Sequence, residues 1–376
     1  MHIVQIVPVI GSGGGVSGSA ARLGEEFRAL GHTVETFTAD SARGHARRRF
    51  RSLFLHRLSR VWYAVEFSIA GTRKARRFLA TRPRAVSICH NAVMTGDLYV
   101  NHGIVAAAMR ARGDTLYRML RNPLHVFTYL RDLVRYRSHR HRAVVALTPG
   151  EVDALHRTYG RIVPPVAVIP HGVDLERFAP PAPEQRRAAR ERLNLDDEHR
   201  VALFVGHELD RKGVPAAIDA LVHAPTVLLL VVGGYRSAVE RMRRRAEAAG
   251  VADRVLFTGP QTNIPDYLAA ADMFVLPSDY ESFGLVITEA LASGVPVIAT
   301  RVGCAPDVIV EGENGHLVAA DAAMIGDRME RLAAEDVTAR YADRRASVAH
   351  LTWRATAERY LALLAELAPE RAGAAR

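Results

Sequence analysis

The sequence predicts an α/β protein made of two doubly wound parallel sheets. Three observations carry that expectation. The chain has 376 residues, 49% of them apolar, which is too long for one ordinary domain and enough for two real cores. Short apolar strands alternate with helix-forming runs almost from end to end. One stretch, residues 278–300, reads SDYESFGLVITEALASGVPVIAT and links two such strands, 273–276 and 297–299, through a helix expected over 283–293.

Residues 2–7 form the first apolar strand, GSGGGV at 11–16 the turn, 17–30 a helix and 33–38 the second strand. Strand, glycine-rich turn, helix and strand open a βαβ unit with a right-handed crossover. Glycines lacking Cβ let backbone approach a phosphate. The spacing is not that of a dinucleotide fingerprint, and no acidic residue ends the second strand. Residues 43–82 are arginine-rich, with Phe50, Phe54, Leu55, Leu58, Val61 and Trp62 at helical spacing. They fit either a helix packed on its own domain with a solvated basic face, or an interfacial helix at anionic lipid. Residues 117–142 repeat the theme. Strands at 86–89 and 98–100 lead to His90-Asn91 and to Asn101-His102-Gly103. Histidines at strand C-termini lie where open α/β sheets bind ligands, so both are site candidates, with His102 preferred and His90 its rival. A structural histidine is the alternative for each. A strand at 143–147, a helix from Pro149 and the segment VAVIPHGVD at 166–174 close this half.

Residues 180–197 are proline-rich and then charged, as in a linker and entry helix. A strand at 201–205 runs into GHELDRKG, 206–213. Further strands at 226–232, 254–258 and 273–276 alternate with helices near 214–223, 237–249 and 264–270. In the central stretch Glu281 and Glu289 stand eight positions apart. On a continuous helix that is about 12 Å of rise, with the two residues within about 80° around the axis. The amides near Gly284, Leu285 and Val286 fall in the first turn, where a helix attracts a diphosphate. The pattern suggests a grip on a sugar nucleotide: one acid on the sugar, amides on the phosphates, one acid on the ribose.

The net charge is +10, carried almost entirely by arginine; Lys74 and Lys212 are the only lysines, so a lysine inside a phosphate-binding motif is informative. The charge suits anionic substrates or an anionic membrane surface. Nucleic acid is disfavoured because no recognition motif accompanies it. No apolar run approaches 18 residues, so no transmembrane helix is expected. The opening MHIVQIVPVIG reads as a buried strand and not a signal peptide. Cys89 and Cys304 are far apart and lack metal-ligand spacing, which points to a reducing compartment and no zinc. The expected location is cytoplasmic, with peripheral attachment at the inner membrane face as an open option.

The central stretch resembles the E-x7-E signature of family 4 retaining glycosyltransferases, the "glycosyl transferases group 1" type. The flanks match as well as the acids: a strand ending in Pro-Ser, then ESFGLV, then EALASGVPVIA. Further resemblances are VAVIPHGVD to the family's IPNGVD, with His171 where Asn is usual; VGCAPD at 302–307 to its G-G-x-x-E turn; and ENGHLV at 313–318 to its ENGxLV strand. The resemblance spans essentially the whole chain, strongly over 166–318 and loosely over 40–142.

It implies the GT-B fold, two Rossmann-like domains facing across a cleft. Residues 1–174 would be the acceptor side, 175–352 the nucleotide-sugar side, and 353–376 a helix crossing back to the first domain plus a frayed tail. It implies a nucleoside-diphosphate-sugar donor, a saccharide or lipid-linked acceptor, and metal-independent transfer with retention; no cofactor is expected. His102 and Glu281 become the catalytic candidates. The donor-binding candidates are Gly14, Gly15, Arg211, Lys212, Thr262, Asn263, Phe283, Gly284, Leu285, Val286 and Glu289. The family usually reads G-R-x4-K-G where this chain has GHELDRKG, so His207 occupies the arginine place and Arg211 precedes Lys212 instead. Competing readings are a transferase for a soluble small-molecule acceptor, a sugar-nucleotide epimerase, and a nucleotide-sugar-binding module without turnover.

Overall fold

The computed structural model describes residues 1–11, 15–43, 53–90, 92–113, 115, 117, 119 and 122–372, and for 42–43, 53–61, 63–64 and 372 the backbone alone. It divides into two compact units, Met1–Gly172 with Trp353–Arg376, and Val173–Thr352.

The first unit holds a six-stranded sheet of β1 (His2–Ile6), β2 (Thr33–Phe37), β3 (Ala85–His90), β4 (Leu98–Val100), β5 (Ala143–Ala146) and β6 (Val166–Val168), in the order β2-β1-β3-β4-β5-β6. Every pairing is parallel. β3, β4 and β5 are buried along their whole length, as a parallel sheet covered on both faces requires. The second unit repeats the design with β7 (Arg200–Val205), β8 (Val227–Val232), β9 (Val255–Gly259), β10 (Met273–Leu276), β11 (Val297–Thr300) and β12 (Gly315–Val318). Their order is β12-β11-β10-β7-β8-β9, again parallel.

These orders position the site. In an open parallel sheet the crevice lies beyond the strand C-termini where the winding direction reverses. In the first sheet the reversal falls between β1 and β3, so the segments after Ile6 and His90 flank it. In the second it falls between β7 and β10, so the loops after Val205 and Leu276 flank it.

Helix α1 (Gly15–Ala29) follows β1, and α2 (Leu53–Ala80) and α3 (Pro123–Tyr136) carry the basic stretches. Phe50 lies outside the described residues, as do the side chains of Phe54, Leu55, Leu58 and Val61; Trp62 is exposed. The expectation of a solvated basic face fails for part of α3. Arg135 is fully buried, ion-paired with Asp132, with its guanidinium 3.9 Å above the Tyr99 ring. The solvent side of α3 is instead an apolar stripe of Val126, Leu130 and Val134, at four-residue spacing. Helix α5 (Trp353–Leu367) belongs to the first unit and packs on α1; its Thr356 Oγ1 donates to Pro170 O, in the segment after β6, at 3.1 Å. No described helix is long and apolar enough to cross a membrane.

Thr148 caps the helix Pro149–Tyr159 by accepting from Glu151 N. Glu151 Oε2 accepts from Leu147 N at 2.7 Å, while Oε1 is buried without a partner. Burial pushes this carboxyl up from about 4.5 to about 8. Its folded value exceeds its unfolded one, so the folded chain keeps a proton that the unfolded chain releases. The associated stability is complete below about pH 4.5 and lost as the pH rises through about 8. Glu151→Gln keeps the acceptor and needs no proton. It is expected to raise Tm at pH 9 and leave it unchanged at pH 4, by about 2–4 °C for each kcal/mol recovered. Thermal melts at the two pH values check this.

Candidate active site

The loop after β7 and the loop after β10 lock onto each other. Gly213 has φ +82°, and a Cβ there would lie 2.0 Å from Pro277 O and 2.5 Å from Pro277 C. Only glycine permits so close an approach in that conformation. Asp279 N donates to Arg211 O at 3.0 Å, a second tie between the loops. Lys212 is thereby set against Glu281, with Nζ 3.0 Å from Oε1. Ser278 Oγ donates to the same oxygen at 2.9 Å, and Thr300 Oγ1 donates to Ser278 O at 2.6 Å, which fixes the serine. The lysine and glutamate side chains are only 15% and 9% exposed, so each depends on the other for compensation of its charge.

Arg211 is engaged by partners of its own loop and the next. Its Nε and Nη2 lie 2.8 and 2.7 Å from Glu208 Oε2, and its Nη1 donates to Tyr280 O. The guanidinium thus braces the loop, with Nη1 3.7 Å from Glu281 Oε1. His207 is exposed and stacks on Tyr235, with ring centroids 6.1 Å apart.

The expected helix over 283–293 is shorter. Gly284 takes a left-handed conformation, φ +86°, and α4 runs from Leu285 to Ala292. Glu281 therefore lies in the turn outside the helix. The separation calculated for eight helical steps does not apply, because the irregular turn intervenes. Glu289 is half-buried in the second turn of α4. The amides of Leu285 and Val286 open the helix and have no partner within it. Phe283 is buried, and its carbonyl accepts from Cys304 N at 2.7 Å. A Cβ on Gly303 would stand 2.2 Å from that carbonyl, so the 302–307 turn holds the mouth of α4 from behind. Thr262 and Asn263 are exposed beyond β9; Thr262 O accepts from Arg177 Nη2 at 3.1 Å, and Asn263 makes no side-chain cap to the helix that follows it.

In the first unit the structure brings the two rival histidines together. His90 ends β3 and His102 follows β4; His90 Nδ1 is 3.0 Å from His102 Nε2. His90 Nε2 is 3.1 Å from Gln5 Oε1 on β1. The His102 ring stacks on His171 at 5.6 Å, and His171 lies 5.5 Å from Trp353. Burial lowers the His102 pKa to about 4 and those of His90 and His171 well below the ordinary imidazole value, so all three rings are neutral at physiological pH. Gly15 opens α1 with φ +73°; Gly14 lies outside the described residues. Among the described residues no group of three or more His, Cys, Asp or Glu is arranged to hold a metal ion.

Ser278, Gln5 and the stacked position of His171 were not singled out by sequence reasoning. Gln5 left one usable signal, a polar residue inside the apolar run IVQIV beside the winding reversal.

Comparison with known proteins places this geometry. The family described as Glycosyltransferase Family 4 matches residues 13–177, and that described as Glycosyl transferases group 1 matches residues 185–347. A D-inositol 3-phosphate glycosyltransferase of Xylanimonas cellulosilytica is 40% identical over 185 residues, 47% of this chain and 44% of that protein. The lipopolysaccharide core biosynthesis mannosyltransferase LpsB of Rhizobium meliloti is 35% identical over 215 residues, 51% of this chain and 61% of that protein. The match thus spans about half the length of these curated relatives. Among solved structures, the sucrose-phosphate synthase of Thermosynechococcus elongatus superposes with a TM-score of 0.78 at 23% identity, covering 98% of this chain and 100% of that one. Anabaena HepE, solved in complex with UDP-glucose, gives 0.68 at 18% identity over 97% of this chain and 100% of that one. With the two family matches together spanning most of the sequence, and two parallel doubly wound sheets beneath them, the chain belongs to the group 1, family 4 glycosyltransferases of the GT-B fold.

Proposed function

We propose that this protein moves a sugar from a nucleoside-diphosphate-sugar donor to a hydroxyl of an acceptor, with retention at the anomeric carbon. The observation that carries the reading is the Lys212–Glu281 couple at the winding reversal of the second sheet, beside the open first turn of α4. Lys212 and the amides of Leu285 and Val286 supply positive charge where a diphosphate leaves, a preorganised device that needs no resident metal. Glu281 is assigned to hydroxyls of the transferred sugar, Glu289 to the ribose, Thr262 and Asn263 to the base, and Gly14 and Gly15 to close backbone approach. His102 is assigned to a sugar hydroxyl. The acceptor oxygen bonds to the anomeric carbon on the face from which the phosphate oxygen departs, and the acceptor proton passes to that departing oxygen. Neither glutamate is a nucleophile in this scheme.

A lipid-linked or cell-envelope saccharide is the proposed acceptor. Its support is the exposed Val126, Leu130 and Val134 stripe in an arginine-rich unit, which suits contact with an anionic membrane surface, and the lipopolysaccharide assignment of one relative. A small soluble acceptor is the second reading, favoured by the D-inositol 3-phosphate relatives.

Release of nucleoside diphosphate from UDP-, GDP-, ADP- and dTDP-sugars, with and without lipid extract, tests the proposal. Release from one donor, stimulated by extract, lost in Glu281→Ala and indifferent to EDTA, is the expected result. Stimulation by soluble cyclitol phosphates instead of extract moves the acceptor to the second reading. Isomerised donor appearing without any acceptor overturns transfer in favour of epimerisation.

A further inference from the structure

We propose that His90 and Gln5 are positioning residues that hold His102 in one tautomer, with its Nε2 protonated and its Nδ1 lone pair presented as a hydrogen-bond acceptor. The inference rests on the reading that His102 meets a hydroxyl of the transferred sugar, and it adds how the imidazole is prepared for that contact.

The chain of contacts sets the direction of every proton in it. Gln5 Oε1 faces His90 Nε2 at 3.1 Å while Gln5 Nε2 is buried without a partner; with the amide turned this way the oxygen accepts and His90 Nε2 donates. A neutral imidazole carries one proton, so His90 Nδ1 is left as an acceptor. His102 Nε2, 3.0 Å from it, must then donate, and the single proton of neutral His102 is committed there. What remains on His102 is the Nδ1 lone pair, which takes no other hydrogen bond among the described residues. Such a nitrogen accepts from a hydroxyl and repels a second acceptor. It therefore selects a donor O–H over a carbonyl or phosphate oxygen.

The supports of the relay are rigid. Gln5 is fully buried in the middle of β1, His90 is buried at the end of β3, and the two strands are hydrogen-bonded neighbours. Gly24 of α1 allows the glutamine to fit, since a Cβ there would stand 2.8 Å from Gln5 Nε2. His171 stacks on one face of His102 and is itself backed by Trp353, so the ring plane is held as well as the tautomer. Depressed basicity of both histidines keeps the relay neutral, and a neutral relay has a single polarity.

The test uses the full-length chain with 15N-labelled histidine. Long-range 1H–15N spectra report which imidazole nitrogen is protonated, and His102→Gln assigns the His102 signals. The expected spectrum shows His102 protonated at Nε2. Gln5→Leu, close to isosteric, is expected to leave His102 as a mixture of tautomers. Gln5→Glu, an obligate acceptor, is expected to restore the single form. In the same variants kcat falls about 10-fold for Gln5→Leu while the donor KM is unchanged, the loss of an outer partner that orients an active imidazole. A wild-type spectrum with His102 protonated at Nδ1 overturns the assigned polarity. An unchanged tautomer and unchanged kcat in Gln5→Leu overturn the relay. If His102→Gln itself keeps full activity, the role of His102 in transfer falls, whatever its tautomer.

Discussion

Gly213→Ala is expected to lower kcat/KM for sugar transfer by about 100-fold or more, the loss that follows from displacing a positioned group by about 1 Å. A Cβ at Gly213 cannot be accommodated by a side-chain rotation, because the atoms it meets are the carbonyl oxygen and carbon of Pro277. The β7 and β10 loops must separate, and with them Lys212 and Glu281. Two effects are then superimposed: a left-handed residue acquires a side chain, about 1–2 kcal/mol, and the loop contact opens. Gly250→Ala separates them. Gly250 has φ +70° with nothing within 4 Å, so it takes the conformational strain without the collision. Steady-state kinetics and melts on the two variants check the argument. A larger fall in Tm for Gly213→Ala than for Gly250→Ala, with activity lost only in Gly213→Ala, is the expected pattern, and equal loss of activity in both refutes the loop-lock account.

The fold was legible because each parallel strand is a short apolar run closed by turn residues, and the alternation with helices leaves little freedom of topology. Gly213 closes the GHELDRKG motif and Gly294 follows the end of the expected helix, both at visible punctuation. The start of α4 was misread by two residues: SFGL has a helix-compatible composition, and the left-handed Gly284 that delays the helix is a tertiary outcome, with Phe283 buried and tied to Cys304. The Lys212–Glu281 pair joins residues 69 positions apart in sequence, and no local pattern states that contact. Sequence offered two separate motifs, and the winding reversal between β7 and β10 unites them. The same holds for His90 and His102. Read singly they are competitors for one role, whereas neighbouring strand ends make them successive members of one hydrogen-bonded chain. Arginine was the poorest guide. Arg135 lies in a stretch that reads as basic surface, yet it is buried against Tyr99, and Arg211, a donor-binding candidate, also braces its own loop. A side chain with five donors can serve backbone and carboxylate partners inside the protein as readily as an anion outside it.

Glu281→Ala and Glu289→Ala are expected to fail in different ways. Removing Glu281 takes away a carboxylate assigned to the transferred sugar, and transfer should fall by about 100- to 1000-fold, the cost of one preorganised group at the reacting centre. Nucleoside-diphosphate affinity should be kept or improved. Lys212 Nζ, 3.0 Å from Glu281 Oε1 in the intact pair, becomes an unpaired and largely buried cation, and a diphosphate is the natural replacement for its lost partner. The variant should therefore melt earlier than the parent when empty and regain most of the difference when the nucleotide binds, because a ligand that engages only the folded state stabilises it by mass action. Glu289 lies in the second turn of α4 and is assigned to the ribose. Its loss removes hydrogen bonds to a charged acceptor, about 1.5–3 kcal/mol, or about 10- to 100-fold in nucleotide affinity. Calorimetric titration of each variant with the nucleoside diphosphate of the active donor, alongside kcat, distinguishes the two. Equal affinities in the two variants would falsify the division of labour, and a Glu281→Ala protein that binds nucleotide more weakly than the parent would remove Lys212 from the diphosphate.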